Sequence, residues 1–272
     1  CLPKTAWPPT SFTFGVATSG ENFTDREKET ERLLLNFRHG VNTVLISPRR
    51  WGKTSLVQKV CRLAQSDQLK VVYLDIFSCR SDRDFYDAFA SAILKQTSSK
   101  LEEWVENAKL FLSRITPKIS IGTDPMTDFS ISLEINPKSN DIDEILQLPE
   151  KIAQKKGCNI IVCIDEFQQI TNYAEDNVEA ILRTYVQHCN NAHFIFAGSQ
   201  RHIMGNIFLT ASRPFYQSVS MMHLESIPLE EYIKFAQKHF KEANKTISKE
   251  AIEHIYKYFD GITWYMQKVL HT

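Results

Sequence analysis

Residues 47–54 read Ser-Pro-Arg-Arg-Trp-Gly-Lys-Thr, followed by Ser55, directly after the β-branched and apolar run Thr43-Val44-Leu45-Ile46. A Gly-Lys-Thr that opens a helix gathers free backbone N–H groups, the positive end of a helix dipole and an ammonium, a combination that favours a polyphosphate. The phosphate-loop pattern GxxxxGK[ST] is filled here by Ser47, Pro48, Arg49, Arg50, Trp51, Gly52, Lys53 and Thr54, with serine where the first glycine belongs. In that pattern Lys53 reaches the β and γ phosphates, and the Thr54 hydroxyl holds Mg²⁺. The plain alternative is a Gly-Lys-Thr at an ordinary helix start. The strand before it argues against that.

A second candidate lies at residues 159–166, where an apolar run ends in Asp165 and Glu166. Neighbouring residues on a strand point to opposite faces, so the pair is expected to place one acid toward the phosphate loop and the other beside it. A third apolar run, 192–198, ends in Gly198-Ser199. The eight histidines show no metal-ligand spacing, so zinc is not expected.

These three motifs need elements to carry them. Residues 23–40 have the acids, the Leu33, Leu34 and Phe37 stripe and the closing Gly40 of an amphipathic helix. A helix from Lys53 to about residue 66 follows the loop, with Leu56, Val60 and Leu63 as its inner face. Continuous apolar runs at 42–46, 69–77, 159–164 and 192–198, with 221–227 as a fifth strand, alternate with helical segments. That pattern implies a parallel sheet covered on both faces, with ligands at the carboxyl ends of its strands, where all three motifs lie. Residues 117–137 break it by strict alternation around a Gly-Thr-Asp-Pro turn, the mark of an inserted β-hairpin. The expected organisation is an arm at 1–22, an α/β domain at 23–227 and a small helical domain at 228–272.

Composition removes other classes. Lys plus Arg and Asp plus Glu number 32 each, so the chain as a whole carries no electrostatic footprint for nucleic acid or an anionic membrane. No apolar stretch approaches the ~20 residues of a membrane helix, and the start lacks a signal-peptide pattern. Six cysteines without a CxxC pair fit a reducing cytoplasm. Cys1 in place of an initiator Met, and the absence of a stop signal after the last helical pattern, lead one to expect a longer natural chain.

The stretches FTDREKE (23–29), SPRRWGKTSL (47–56), IDEFQ (164–168), FAGSQRHIM (196–204), PFYQ (214–217) and DGITWY (260–265) occur in order along the chain. Together they resemble the AAA+-related P-loop ATPases of the STAND class, marked by an FxxREkE box, a GPRrxGKTSL loop and an IDEFQ acidic motif. The resemblance implies an α/β fold of the ASCE type: a three-layer α/β/α sandwich with parallel strand order 5-1-4-3-2 and a helical lid. It also implies a winged-helix domain beyond residue 272, through which DNA or a protein would be contacted.

On this resemblance the cofactors are ATP or ADP and Mg²⁺. Asp165 positions Mg²⁺ and Glu166 polarises the attacking water. Ser199 either senses the γ phosphate or is ordinary turn chemistry. Arg213, just before PFYQ, and Arg201 are candidates for an arginine finger. Phe23 and Arg26 match the box that borders the base, although Arg26 also suits an ion pair with a glutamate of its helix. Arg49, Arg50 and Trp51 are open to phosphate, a partner or a neighbouring subunit. The chain departs from the family at Ser47, at Gln217 where PLYGR carries Arg, and at Thr263 where a lid GxP motif carries Pro. Two readings result: a slow Mg-dependent ATPase acting as a conformational switch, and a nucleotide-locked scaffold without useful turnover. A nucleotide kinase lacks its second basic cluster.

Overall fold

The computed structural model describes residues 26–112, 116–121, 129–134, 141–173 and 178–271. The arm, Phe23 and the hairpin tip lie outside them. The chain runs α1 (Glu27–Arg38), β1 (Thr43–Ile46), α2 (Lys53–Ala64), β2 (Leu69–Asp75), α3 (Asp82–Thr97) and α4 (Leu101–Phe111). It continues through β3 (Thr116–Ile121), β4 (Phe129–Glu134), α5 (Asp141–Leu146), α6 (Leu148–Lys156) and β5 (Asn159–Asp165) to a 3-10 turn (Phe167–Asn172) and α7 (Val178–His188). Then come β6 (Ala192–Gly198), α8 (Arg201–Leu209), β7 (Ser220–His223), α9 (Leu229–Glu242), α10 (Lys249–Tyr258) and α11 (Thr263–His271).

Five of the strands form one sheet in the order β2-β5-β6-β1-β7, and every neighbouring pair is parallel. Numbering the five strands of that sheet by their sequence order, this is 2-3-4-1-5, the expected order read from the other edge. Pairing aligns Asp75 with Asp165 and Ile46 with both Gly198 and His223. Ser47, Glu166 and Ser199, each one residue past its strand, therefore leave the sheet along the same edge.

Alternation along the strands sorts the core into two faces. Val71, Ile161, Ile195 and Leu45 pack with Leu33 and Phe37 of α1 and Leu56, Val57 and Val60 of α2. Val72, Val162, Phe194 and Val44 face the other way, onto Phe85 and Phe89 of α3, Ile152 of α6, Leu182 of α7 and Phe208 of α8. The inner face of α2 differs from the sequence expectation: Val57 fills it, whereas Leu63 is 58% exposed. The helix ends at Ala64, so Leu63 sits in its last turn.

β2 is an edge strand, and the Gln96 side chain caps it by accepting from Tyr73 N–H (2.9 Å) and donating to Tyr73 C=O (2.8 Å). Ser81 and Asp84 form a reciprocal capping box at the start of α3. β3 and β4 pair antiparallel outside the main sheet. Beyond β7, helices α9, α10 and α11 enclose an apolar cluster of their own, built on Ile227, Tyr232, Ala236, Ile252, Met266 and Leu270. No helix among the described residues is long and apolar enough to cross a membrane.

Candidate functional site

The phosphate loop leaves β1 at Ser47, whose N–H donates to Gly198 C=O at 3.1 Å and whose hydroxyl donates to Pro48 C=O at 3.1 Å. Serine serves here without strain, because the left-handed backbone falls later in the loop, at Arg50 (φ 71°) and Gly52 (φ 86°). Ser47 is fully buried, so its departure from the family pattern fills space without bending the chain. Gly52 caps α2, and a Cβ there would meet nothing within 4 Å. Pro48, Arg49, Trp51 and Thr54 stay at least partly open, and Ser55 is buried.

Lys53 is 6% exposed and its ammonium touches both acids: Asp165 Oδ1 in a short contact, and Glu166 Oε1 at 3.1 Å. The alternation expected for the two acids does not hold. Asp165 is the last strand residue, but Glu166 adopts φ 56°, and that left-handed step swings its carboxylate to the same side. Asp165 is 1% exposed and accepts three further hydrogen bonds, from Thr54 Oγ1 (3.1 Å), Tyr73 OH (2.9 Å) and Glu166 N–H (2.8 Å). Burial pulls the Lys53 ammonium below the usual lysine range, and Glu166 opposes that pull. Burial pushes the Glu166 carboxyl up, but Lys53 and the hydrogen bonds from Ser199 and Gln168 outweigh it and hold the acid ionised.

Glu166 Oε2 is anchored separately, by Ser199 Oγ at 2.9 Å and Gln168 Nε2 at 2.6 Å. Ser199 is thus brought to the acid pair. Gln168 is 3% exposed and also accepts from Ser199 N–H at 3.3 Å. Gly198 makes this possible, since a Cβ there would stand 2.6 Å from Gln168 Oε1 and 2.4 Å from Met204 Sδ.

Two arginines lock the loop from outside. Arg26, 4% exposed, donates to Trp51 C=O (3.2 Å) and Glu225 C=O (2.6 Å) and pairs with Glu29 at 3.0 Å. The ion pair with a glutamate of its own helix is thus present, and the same guanidinium also reaches the phosphate loop. Arg50 turns away from the loop centre: its guanidinium lies 5.0 Å from the Trp264 ring centroid and 5.1 Å from that of Tyr265, and bonds the Tyr265 hydroxyl. Trp264 N–H closes the link by donating to Arg50 C=O at 3.1 Å. Trp264 and Tyr265 of the DGITWY stretch thus grip the loop, whereas Tyr256, just before that stretch, packs against the apolar cluster of α9–α11. Thr263, the departure from GxP, is the first residue of α11 and leads directly into this contact.

Other candidates are not brought to the cluster. Arg213 pairs with Glu179 of α7 at 3.2 Å. Gln217 has φ 53° and bonds Tyr216 OH at 3.1 Å. Arg201 and Arg49 are exposed, and Phe23 lies outside the described residues. Sequence reasoning missed Tyr73 and Gln168. A polar-tipped residue within the apolar β2 run was the signal for the first, and position two after Glu166 the signal for the second.

The donor set suits a magnesium nucleotide: a hydroxyl and a carboxylate 3.1 Å apart, an ammonium beside them, and a second carboxylate held in reserve. Residues 23–269 match the family described as the ATPase domain predominantly from Archaea. The chain belongs to that family. It is an ATP-binding, AAA+-related P-loop ATPase domain, and the observed strand order is that of this fold. No curated protein matches the chain. Among solved structures it is similar to the Walker-type ATPase PABY2304 of Pyrococcus abyssi, at 18% identity and TM-score 0.67, covering 94% of this chain and 69% of that one. It is also similar to the ORC2 protein of Aeropyrum pernix in its ADPNP-ADP complexes, at 14% identity and TM-score 0.55, covering 86% of this chain and 56% of that one. Cdc6p from Pyrobaculum aerophilum matches at 12% identity and TM-score 0.53, covering 97% of this chain and 63% of that one. At such identities the likeness is one of fold.

Proposed function

We propose that this ATPase domain binds Mg-ATP, hydrolyses it slowly, and uses the bound nucleotide to set the angle between the sheet and helices α9–α11, in the manner of the STAND class. The observation that carries the reading is the ammonium of Lys53 resting on both Asp165 and Glu166. A triphosphate competes for that ammonium, because its charge exceeds that of either carboxylate. Lys53 then turns to the phosphates, Asp165 and Thr54 are freed to hold Mg²⁺, and Glu166 Oε1 is freed for water. Mg²⁺, when bound, neutralises charge on the phosphates. Glu166, kept ionised, accepts the proton as water attacks the γ phosphorus, and the bond to the β-phosphate oxygen breaks to release ADP and phosphate.

The switch half of the reading rests on Arg50, which ties the phosphate loop to the start of α11. Movement of the loop on nucleotide binding would be felt by the helices through that residue. We take residues 23–227 as the catalytic domain and 228–272 as its lid, with a protein partner or a second copy of the chain reading the lid angle. DNA would be contacted only through a further C-terminal domain. Cytoplasmic placement belongs to the same proposal.

The scaffold reading has one observation in its favour. Gln217 replaces the family arginine, and Arg213 is held by Glu179, so among the described residues no arginine of the 213–217 stretch touches the acid pair. Thermal shift and phosphate release with Mg-ATP separate the readings for wild type, Lys53→Ala and Glu166→Gln. Ligand at ~100 times its dissociation constant stabilises by about 2.7 kcal/mol. Wild type is expected to shift and to release phosphate, Lys53→Ala to do neither, and Glu166→Gln to shift without release. A wild-type shift with no release, unchanged by Glu166→Gln, establishes the scaffold instead; no shift in wild type refutes nucleotide binding.

A further inference from the structure

We infer that Gln168 is a positioning residue for hydrolysis, holding the Glu166 carboxylate so that one oxygen is fixed and the other presented to water. The inference rests on the assignment of Glu166 as the water-polarising acid. Its two oxygens have different partners: Oε1 meets the Lys53 ammonium at 3.1 Å, whereas Oε2 takes Gln168 Nε2 at 2.6 Å and Ser199 Oγ at 2.9 Å. Lys53 is the partner a phosphate chain would draw off. Gln168 and Ser199 carry no charge for it to attract, so Oε2 stays anchored while Oε1 comes free.

The anchor is needed because Glu166 stands at φ 56°, off the end of β5 and outside the ladder that fixes Asp165. A carboxylate on such a residue rotates unless something holds it, and a misplaced general base loses its geometric advantage. Gln168 is buried to 3% exposure in the 3-10 turn and uses both ends of its amide. Its nitrogen donates to Glu166, and its oxygen accepts from Ser199 N–H at 3.3 Å, so it spans from the end of β5 to the end of β6. The bare Gly198 backbone leaves the room, since any Cβ would come within 2.6 Å of the amide oxygen. An amide is the group that fits: it donates to the ionised acid while accepting from a backbone N–H, which neither a carboxylate nor a hydrocarbon of the same size can do.

The test compares wild type, Gln168→Met, Gln168→Glu, Ser199→Ala and Glu166→Gln. Phosphate release gives kcat and KM, thermal shift with Mg-ADP reports the nucleotide site, and hydrogen exchange reports the Ser199 amide. Gln168→Met keeps the volume and is expected to lower kcat about 10- to 100-fold, with KM and the Mg-ADP shift at wild-type values. Its Ser199 amide should exchange faster. Gln168→Glu keeps the acceptor for that amide but not the donor to Glu166, so it should retain Ser199 protection and still lose kcat. Ser199→Ala removes the other donor to the same oxygen and should also lower kcat, and in the double variant with Gln168→Met the two losses should not add fully. Wild-type kcat in Gln168→Met, with Glu166→Gln inactive, overturns the positioning role alone, as does a Gln168→Glu that turns over normally. If Gln168→Met does not fold, wild-type kcat in Ser199→Ala overturns the fixed-oxygen geometry. Full activity in Glu166→Gln overturns the assignment of the acid and this inference with it.

Discussion

Replacing Arg50 separates the contact with α11 from everything else the phosphate loop does. The side chain makes two cation–π contacts, at 5.0 and 5.1 Å from the Trp264 and Tyr265 centroids, and a hydrogen bond with the Tyr265 hydroxyl. At an exposed site each cation–π contact contributes about 0.5–1 kcal/mol. The hydrogen bond adds about 0.5 kcal/mol, at the low end of its range because water competes. One guanidinium serves all three, so the sum is about 1–2 kcal/mol rather than a full addition. Arg50→Ala should therefore speed exchange of the α11 amides about 5- to 30-fold and leave those of β5 and β6 unchanged. The backbone supplies an internal control. Arg50 sits at φ 71°, which costs a residue with a Cβ about 1–2 kcal/mol and glycine almost nothing. Arg50→Gly should thus loosen α11 as much as Arg50→Ala while melting higher than it. Wild-type α11 exchange in both variants refutes the clamp. Equal melting of the alanine and glycine variants refutes the strain.

Gly198→Ala drives a methyl toward Met204 Sδ and Gln168 Oε1, at 2.4 and 2.6 Å before relaxation. It should cost about 1–3 kcal/mol of stability in denaturant melts and lower phosphate release more than nucleotide affinity. His193 lies under Gly40, and burial lowers its affinity for a proton, with Glu150 opposing. The unfolded chain therefore takes up that proton first, so the stability associated with neutral His193 is present above about pH 6.5 and is lost as pH falls below it. His193→Gln should flatten this part of the stability–pH curve, measured by urea unfolding from pH 7.5 to 5; an unchanged slope refutes the assignment.

The strand runs, the loop pattern and the place where each motif leaves its strand were legible along the chain because each depends on residues close in sequence. A buried parallel strand needs a continuous apolar run, and a phosphate loop needs its Gly-Lys-Thr at a helix start. Strand order followed from the family resemblance, and the register of Asp165 against Asp75 and of Gly198 against Ile46 agrees with it. The expected alternation of the two acids failed because one residue's backbone left the regular pattern: Glu166 turned left-handed, which put both acids on Lys53. At Ser47 the backbone keeps a negative φ, so that position does not require glycine.

The sequence by itself determined that the Gly-Lys-Thr loop and the Asp165-Glu166 pair lie at the carboxyl edge of a covered parallel sheet, where Lys53, Thr54, Asp165 and Glu166 meet. Only the tertiary structure decided which oxygen of Glu166 each neighbour holds, that Arg26 binds the loop from α1, and that Arg50 faces Trp264 and Tyr265 rather than the loop. Those partners are separated by up to 215 residues, as between Arg50 and Tyr265. Their meeting depends on how packed elements place side chains to within a hydrogen-bond length, which no local pattern encodes.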